Sequence, residues 1–185
     1  MELGCGSGAN LWMVAKEGFS AYGMDIAPAG IELCKKMLDS WSVTANLSVG
    51  NMKKLNFADN FFDTIFDVVS MQHLDIEGHL QAYHEVFRCL KNGGNFFQWH
   101  LGANSVSFKK GEGKRLDEFT VDNITSSKEI LPLHDNGMTS FLTSEMAENL
   151  LKEAGFKEIN IETVQRTYDS RSQFMEYLAI EAKKP

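Results

Sequence analysis

Cysteine is scarce in this chain, and what there is does not pair. Cys5, Cys34 and Cys89 are odd in number, far apart and without CxxC spacing, so neither a disulfide framework nor a zinc cluster is expected. A reducing, cytoplasmic setting fits. Cations are scarce too: 18 Lys and Arg stand against 25 Asp and Glu, for a formal charge of -7 and a pI near 5.2. A phosphate backbone selects for clustered basic residues, and the pairs Lys35-Lys36, Lys53-Lys54 and Lys109-Lys110 are isolated, so no nucleic-acid partner is expected. No basic leader opens the chain, and no apolar stretch approaches the roughly eighteen residues needed to span a bilayer. The expectation is a protein with no membrane association. The five histidines do not make a metal set. His79 and His84 are five apart on a predicted helix and face different ways, so no metal is expected.

What is present is enough apolar sequence, 43% of 185 residues, for one compact domain with a core. No internal repeat or low-complexity tract divides it, and residues 1–185 read as a single domain. Segments alternate in type. "ANLWMVAKEGF" has Leu11, Val14 and Ala15 at helical spacing and stops at Gly18. "SAYGMDI" reads as a strand, and "APAGIELCKKMLDSW" as a helix with Pro28 in its first turn and one buried face of Ile31, Cys34, Leu38 and Trp41. "ANLSVG" and "DTIFDVVS" are strands. Leu80, Tyr83, Phe87 and Leu90 mark a helix closed by Gly93 and Gly94 before the strand "NFFQWHL". Strict alternation implies an α/β fold, a mostly parallel sheet with helices on both faces.

From 102 to 137 the rhythm breaks into polar, weakly periodic sequence, expected to be an insert or lid without regular structure of its own. A helix, "TSEMAENLLKEAGF", follows, with Thr143 or Ser144 as its cap and Gly155 as its end. "KEINIETVQ" and "FMEYLAIEAKK" then read as an antiparallel pair at the sheet edge.

The chemistry concentrates in "MELGCGSGANLW". A glycine-rich turn between the first strand and first helix of such a sheet places a ligand at the carboxyl ends of the strands, beside unpaired N–H groups of the helix. "GCGSGA" satisfies the dinucleotide pattern G-x-G-x-x-A, with Asp25 at the spacing of a ribose-binding acid. Glu2, two residues before Gly4, argues for a different cofactor: a carboxylate there repels a pyrophosphate but suits a ligand that lacks phosphate and carries positive charge.

These motifs, taken with their order, resemble the class I S-adenosylmethionine-dependent methyltransferases, and more narrowly the small-molecule group called methyltransferase type 11. "ELGCGSG" resembles the first motif, which implies that Glu2, Gly4, Cys5, Gly6 and Gly8 surround the cofactor. "YGMDIA" is similar to the second, implying Asp25 on the ribose hydroxyls and Ile26 on the adenine. "VGNMKKLNF" resembles G-D-x-x-x-L-P-F, with Asn51 in place of the acid that contacts the adenine amino group, the Met52 N–H on the ring, and Asn56 in place of proline. "FFDTIFDVVSMQHL" is similar to the fourth strand and the turn at the methionyl end, here Ser70, Met71, Gln72 and His73. "LKNGGNFF" resembles L-K-P-G-G with Asn92 for proline, and "LLKEAGFKEINIE" and "IEAKKP" resemble the closing helix and strands.

The resemblance implies a Rossmann-like doubly wound sheet with strand order 3-2-1-4-5-7-6. It also implies transfer of a methyl group from S-adenosyl-L-methionine to an oxygen or nitrogen of a small molecule, with S-adenosyl-L-homocysteine as product. A general base is expected from His73 or His100, which fall at the acceptor end of strands four and five. Gln72, His73, Glu118, Thr120 and His134 are candidate acceptor contacts. Trp99 is read as core packing more than pocket wall, and Cys5 as a small residue that fits the turn. Relative to the family the chain begins late in its first strand, without the preceding helices. Either the chain is truncated, or a second copy supplies the cover as a homodimer. Two alternatives stand beside this reading, an NAD(P)-dependent oxidoreductase and a truncated, non-catalytic cofactor-binding fragment.

Overall fold

The computed structural model describes residues 1–127 and 131–185; three positions of the 102–137 segment, 128–130, lie outside the described residues. In chain order the elements are β1 (Glu2–Leu3), α1 (Leu11–Lys16), β2 (Tyr22–Asp25), α2 (Pro28–Ser40), β3 (Asn46–Val49), β4 (Phe62–Val68), α3 (Ile76–Cys89), β5 (Leu90–Leu101), α4 (Val106–Lys110), β6 (Glu112–Arg115), β7 (Thr120–Thr125), β8 (Thr139–Ser140), α5 (Ser144–Glu153), β9 (Lys157–Tyr168) and β10 (Gln173–Lys183). A single 3-10 turn over Met71–His73 joins β4 to α3.

Among the described residues the strands form two sheets. The larger runs β3-β2-β1-β4-β5-β10-β9. Since β6–β8 belong to the smaller sheet, this is the 3-2-1-4-5-7-6 order. Its first five strands are parallel, and β10 pairs antiparallel with both β5 and β9.

Register decides which side chains reach the site. Leu3, Asp67 and Gln98 fall in one row across β1, β4 and β5, and Glu2, Phe66 and Phe97 in the next. Successive strand residues point to opposite faces. The row of Leu3 and Asp67 therefore faces α3 and α5, where Ile65, Tyr83, Phe96, Leu151, Phe156 and Ile180 form the main core. Beyond β1–β3, on the other face, Cys5, Leu11, Cys34 and Leu38 pack α1 and α2 together. Phe97, Trp99 and Leu101 of β5 point to this second face, beside Ala179 and Tyr177 of β10. Helix starts follow side-chain chemistry: Asp75 caps α3 by accepting from the Gly78 N–H at 2.8 Å, and Thr143 caps α5 by accepting from Met146 at 3.1 Å, each worth about 1 kcal/mol.

Two expectations are corrected. Gly93 and Gly94 do not close α3; the helix ends at Cys89 and β5 begins at Leu90. The glycines form an irregularity within the strand, where pairing with β4 shifts register between Phe62 and Thr64 and Gly93 takes φ +77°. The segment after Gly102 is not structureless either. It carries α4 and the antiparallel sheet β6-β7-β8, with its own core of Val106, Val121, Ile124, Leu131 and Phe141 against Leu101 and Met175. Its strands are short, and β7 buries Thr120, Val121 and Ile124, an i, i+1, i+4 spacing that lacks the twofold alternation of a strand.

Candidate active site

The site is built where β1, β2 and β4 end. After Leu3 the chain turns sharply at Gly4, whose φ of +60° is one that L side chains rarely adopt. A Cβ there would stand 2.2 Å from that of Ser70, so only glycine lets the first turn and the 70–73 turn touch. Two residues on, the Gly6 N–H donates to Asp25 Oδ2 at 2.8 Å, and the Ala27 N–H donates to Oδ1 at 2.8 Å. Asp25 is thereby fixed at the end of β2, with each oxygen keeping a lone pair for another donor. Gly8 lies against Cys34 of α2.

A slot of about 200 Å³ opens here, lined by Gly4, Met24, Asp25, Ile26, Gly50, Asn51, Met52, Ser70, His73 and Leu74. Seven residues singled out from sequence meet in it: Gly4, Asp25, Ile26, Asn51, Met52, Ser70 and His73. Asn51 is exposed, and its Oδ1 accepts from the Lys53 N–H at 2.9 Å, so its amide nitrogen is the end turned outward.

Glu2 lies beneath the turn rather than in the slot. It is 2% exposed, its Oε1 accepts from Asn10 Nδ2 at 2.9 Å, and its Oε2 is buried without a partner. Burial pushes its carboxyl up to about 7, against the Asn10 hydrogen bond; Asp67 and Asp25 add to the rise. An unmet buried acceptor beside a glycine turn is what a cationic ligand would complement. With Asp25 disposed for vicinal hydroxyls, these residues fit S-adenosylmethionine.

The 70–73 turn is held from below. Asp67 accepts from the Ser70 N–H at 3.1 Å and the Met71 N–H at 3.0 Å, and Ser70 Oγ lies against Asp67 Oδ1 and the Leu3 carbonyl. Gln98 Nε2 reaches Asp67 Oδ2 at 3.3 Å while its Oε1 accepts from the Tyr83 hydroxyl at 2.6 Å. Burial lifts Asp67 to about 6 in spite of these donors. The smaller sheet grips the turn from above: Ser140 Oγ donates to the Gln72 carbonyl at 3.1 Å, and His73 Nδ1 meets the Met138 carbonyl at 2.9 Å. A carbonyl only accepts, so His73 Nδ1 carries the proton and Nε2 keeps its lone pair. Val69, just before the turn, has φ +52°, a strained conformation for a β-branched residue, fixed by its N–H to Trp99 O at 2.9 Å.

On the other side of the turn lies a second cavity of about 440 Å³, bounded by Val68, Val69, Gln72, Trp99, Leu101, Leu133, Val164, Arg166, Tyr168 and Tyr177. Trp99 is half-buried and forms part of this wall, which corrects its reading as core.

Six side chains go elsewhere than expected. His100 is fully buried on the α3 face, because alternation along β5 groups it with Phe96 and Gln98. Its Nε2 is 3.0 Å from His79 Nε2, its Nδ1 2.9 Å from the Leu101 carbonyl, and burial beside His79 depresses it to about 3. It reaches neither cavity and cannot serve as the base. Met71 points into the main core, where its sulfur meets Gln98. Cys5 faces Cys34 in the α1–α2 core, and burial raises its thiol. Thr120 is buried and donates to Asp117 Oδ2 at 2.9 Å. Glu118 and His134 are exposed, the latter 3.5 Å from Asp135. Neither they nor Thr120 line a described cavity. The residue that matters in that stretch is Asp117, which also accepts from Ile76 N–H at 3.0 Å and Phe119 N–H at 2.8 Å and so ties the smaller sheet to the start of α3. Asp67 lay within the fourth-strand motif but was given no role there, and Asp117, Tyr168 and Tyr177 carried no motif. The strand pattern of "FMEYLAIEAKK" was the one available signal, since it puts Tyr177 on the face of Trp99. Among the described residues no group of three or more His, Cys, Asp or Glu could hold a metal, and no helix is long and apolar enough to cross a membrane.

Comparison with known proteins agrees with this geometry. The family described as "Methyltransferase domain" matches residues 1–94, just over half of the chain. The biotin biosynthesis bifunctional protein BioHC of Teredinibacter turnerae is 25% identical over 169 residues, 86% of this chain and 26% of that protein. The 2-methyl-6-phytyl-1,4-hydroquinone methyltransferase of Synechocystis is 28% identical over 95 residues, 51% of this chain and 29% of that one. The chain thus spans less than a third of the length of either. A SAM-dependent methyltransferase structure from Methanosarcina mazei shares the fold, with a TM-score of 0.79, 20% identity and coverage of 98% of this chain and 90% of the other.

Proposed function

The chain belongs to the methyltransferase-domain family, class I and S-adenosylmethionine-dependent, and on that premise we propose that it methylates an oxygen or nitrogen atom of a small-molecule acceptor. The observation that carries this reading is the pair of cavities separated by one turn: Ser70 and His73 line the first, Val69 and Gln72 the second. Family membership decides against the oxidoreductase alternative.

Asp25 would hold the ribose hydroxyls, the glycine turn the methionyl end, Ile26 and Met52 the adenine, and Glu2 would balance the cofactor's positive charge from below. When bound, S-adenosylmethionine supplies an electrophilic methyl: the acceptor's lone pair forms the new bond, and the sulfur–methyl electrons remain on sulfur. The chain's own part is alignment and the exclusion of water, and orientation alone can lower a barrier by roughly 7 kcal/mol or more. His73 takes the acceptor's proton at Nε2, the tautomer being set by the Met138 carbonyl and the lone pair exchanging its long 3.4 Å contact with the Gln72 amide N–H for the acceptor's hydrogen. Residues 102–137 act as the acceptor-side cover within a single domain of residues 1–185. Leu133 lines the second cavity, and Met138 and Ser140 just beyond the segment hold the turn.

Calorimetry with S-adenosylhomocysteine tests the cofactor half. Saturable binding that weakens about ten- to a hundredfold in Asp25→Ala is expected, from the loss of hydrogen bonds to a charged group. A folded wild-type chain that binds none at millimolar ligand would return the non-catalytic reading to first place.

A further inference from the structure

The second cavity says what kind of acceptor it takes. We propose that the acceptor is a planar aromatic molecule, whose reacting oxygen or nitrogen carries a hydrogen and whose far end carries an anionic group. This rests on the methyltransferase reading above.

Three observations converge. The first is shape. The register of β5, β10 and β9 puts Trp99, Tyr177 and Val164 on one face of the sheet. Trp99 and Tyr177 stack with ring centroids 5.4 Å apart and an interplanar angle of 26°, and the Tyr168 hydroxyl lies 3.5 Å from that of Tyr177. Trp99, Tyr168 and Tyr177 together make this side of the cavity aromatic, and an aromatic lining favours a ligand with a π-face over a puckered one of equal area.

The second is hydrogen-bond accounting at the inner end. Gln72 is 6% exposed and lines this cavity, and its amide oxygen is buried with no donor. A buried acceptor left unmet is costly; this oxygen has almost no exposed surface in the empty cavity, so a small turn of the Gln72 side chain toward an O–H or N–H of the occupant is what would relieve the cost. The other end of the same amide approaches His73 Nε2 at 3.4 Å, so the group that answers Gln72 lies next to the proposed base. The third is charge. Arg166 is the one charged residue among the described walls, with no carboxylate beside it there, and its guanidinium is held over the Tyr168 ring at 4.8 Å. It is exposed, at the mouth, and favours an anionic substituent there over a cationic one.

The test uses the protein saturated with S-adenosylhomocysteine and measures binding by calorimetry. The probes are 6-hydroxy-2-naphthoate, its fully saturated decahydro analogue, and 2-naphthol, which lacks the carboxylate. The naphthoate should bind about five- to tenfold more tightly than the saturated analogue. Trp99→Leu should remove most of that difference. Arg166→Gln should loosen the naphthoate about two- to fivefold and leave 2-naphthol unchanged. S-adenosylhomocysteine affinity should be the same in both variants, which shows that they fold. Equal affinity for the aromatic and saturated probes, or no binding of either naphthalene to a protein that does bind S-adenosylhomocysteine, overturns the proposal and leaves the methyltransferase reading standing. Failure of wild type to bind S-adenosylhomocysteine overturns the underlying reading, and the proposal falls with it.

Discussion

Replacing Glu2 with glutamine should make the folded protein more stable at alkaline pH and worse at binding its cofactor. In the fold the carboxyl is lifted from 4.5 to about 7, chiefly by burial. Below pH 4.5 it is protonated folded or unfolded and contributes nothing. As the pH rises from 4.5 to 7 the folded state holds a proton that the unfolded state has released, so stability falls, and above 7 the loss is complete at roughly 3 kcal/mol. Glutamine keeps the oxygen that accepts from Asn10 at 2.9 Å and places an NH2 where Oε2 lacks a partner. That unmet donor costs about 1–3 kcal/mol, the same at every pH. The difference between variant and wild type should therefore move by about 2.5 kcal/mol in the variant's favour between pH 5 and pH 8. Urea midpoints at the two pH values, with equal slopes, measure it. A difference that does not change with pH would mean that the carboxylate is hydrated, and the reasoning from its burial would fail. Calorimetry at pH 8 should show S-adenosylmethionine binding weakened by the substitution.

Three further outcomes follow from the same geometry. His73→Gln, assayed at saturating S-adenosylmethionine because His73 also lines the cofactor slot, should lower turnover of a hydroxyl acceptor by roughly 10²- to 10⁴-fold, in single-turnover assays. Asp117→Ala strips partners from the Ile76 and Phe119 N–H groups and the Thr120 hydroxyl. It should cost about 2 kcal/mol in urea unfolding and raise the acceptor KM with cofactor affinity unchanged. Asp67→Asn keeps an oxygen for the Ser70 and Met71 N–H groups but turns an NH2 toward Gln98 Nε2, so at pH 8 it should destabilise by about 1–3 kcal/mol where Glu2→Gln does not.

The strand order and most residues of the cofactor slot came from the family resemblance, but the α/β class and the glycine turn with its acid were legible because they rest on local signals. Glycine at positive φ, an acid closing a short strand and apolar runs of fixed period are written within a few residues of one another. The acceptor side was not, because it depends on register and on which way a strand alternates. Trp99 and His100 are neighbours in sequence, and read from sequence alone His100 faces the ligand and Trp99 the core. The pleat of β5 sends Trp99 to the cavity wall and His100 to the α3 core. Thr120 and Glu118 were chosen for their chemistry, yet Asp117 beside them holds three donors at once. Only the folded position of α3 supplies one of those donors, and no spacing within the segment encodes it.

Glu2 and Asp67 show that the same direction of shift can mean opposite things. They stand in adjacent rows and point to opposite faces of the sheet, Glu2 in register with Phe66 and Asp67 with Leu3, and burial raises both carboxyls. Asp67 is surrounded by donors: the Ser70 and Met71 N–H groups, Ser70 Oγ and Gln98 Nε2. Its ionised form therefore organises the turn that separates the two cavities, and the energy of its burial is returned as rigidity where reactants must be aligned. Glu2 has one donor for two oxygens, and that donor and the N-terminal ammonium favour its charge by less than burial opposes it. A carboxylate that destabilises its own fold and leaves one oxygen without an internal partner is explained when the ligand's positive charge completes it, since binding then relieves the penalty and draws affinity from it. The pH dependence of apo stability and the preference for a cationic cofactor are on this view one property of a single side chain. Cofactor at saturation should therefore flatten the fall in stability between pH 5 and pH 8 that the free protein shows.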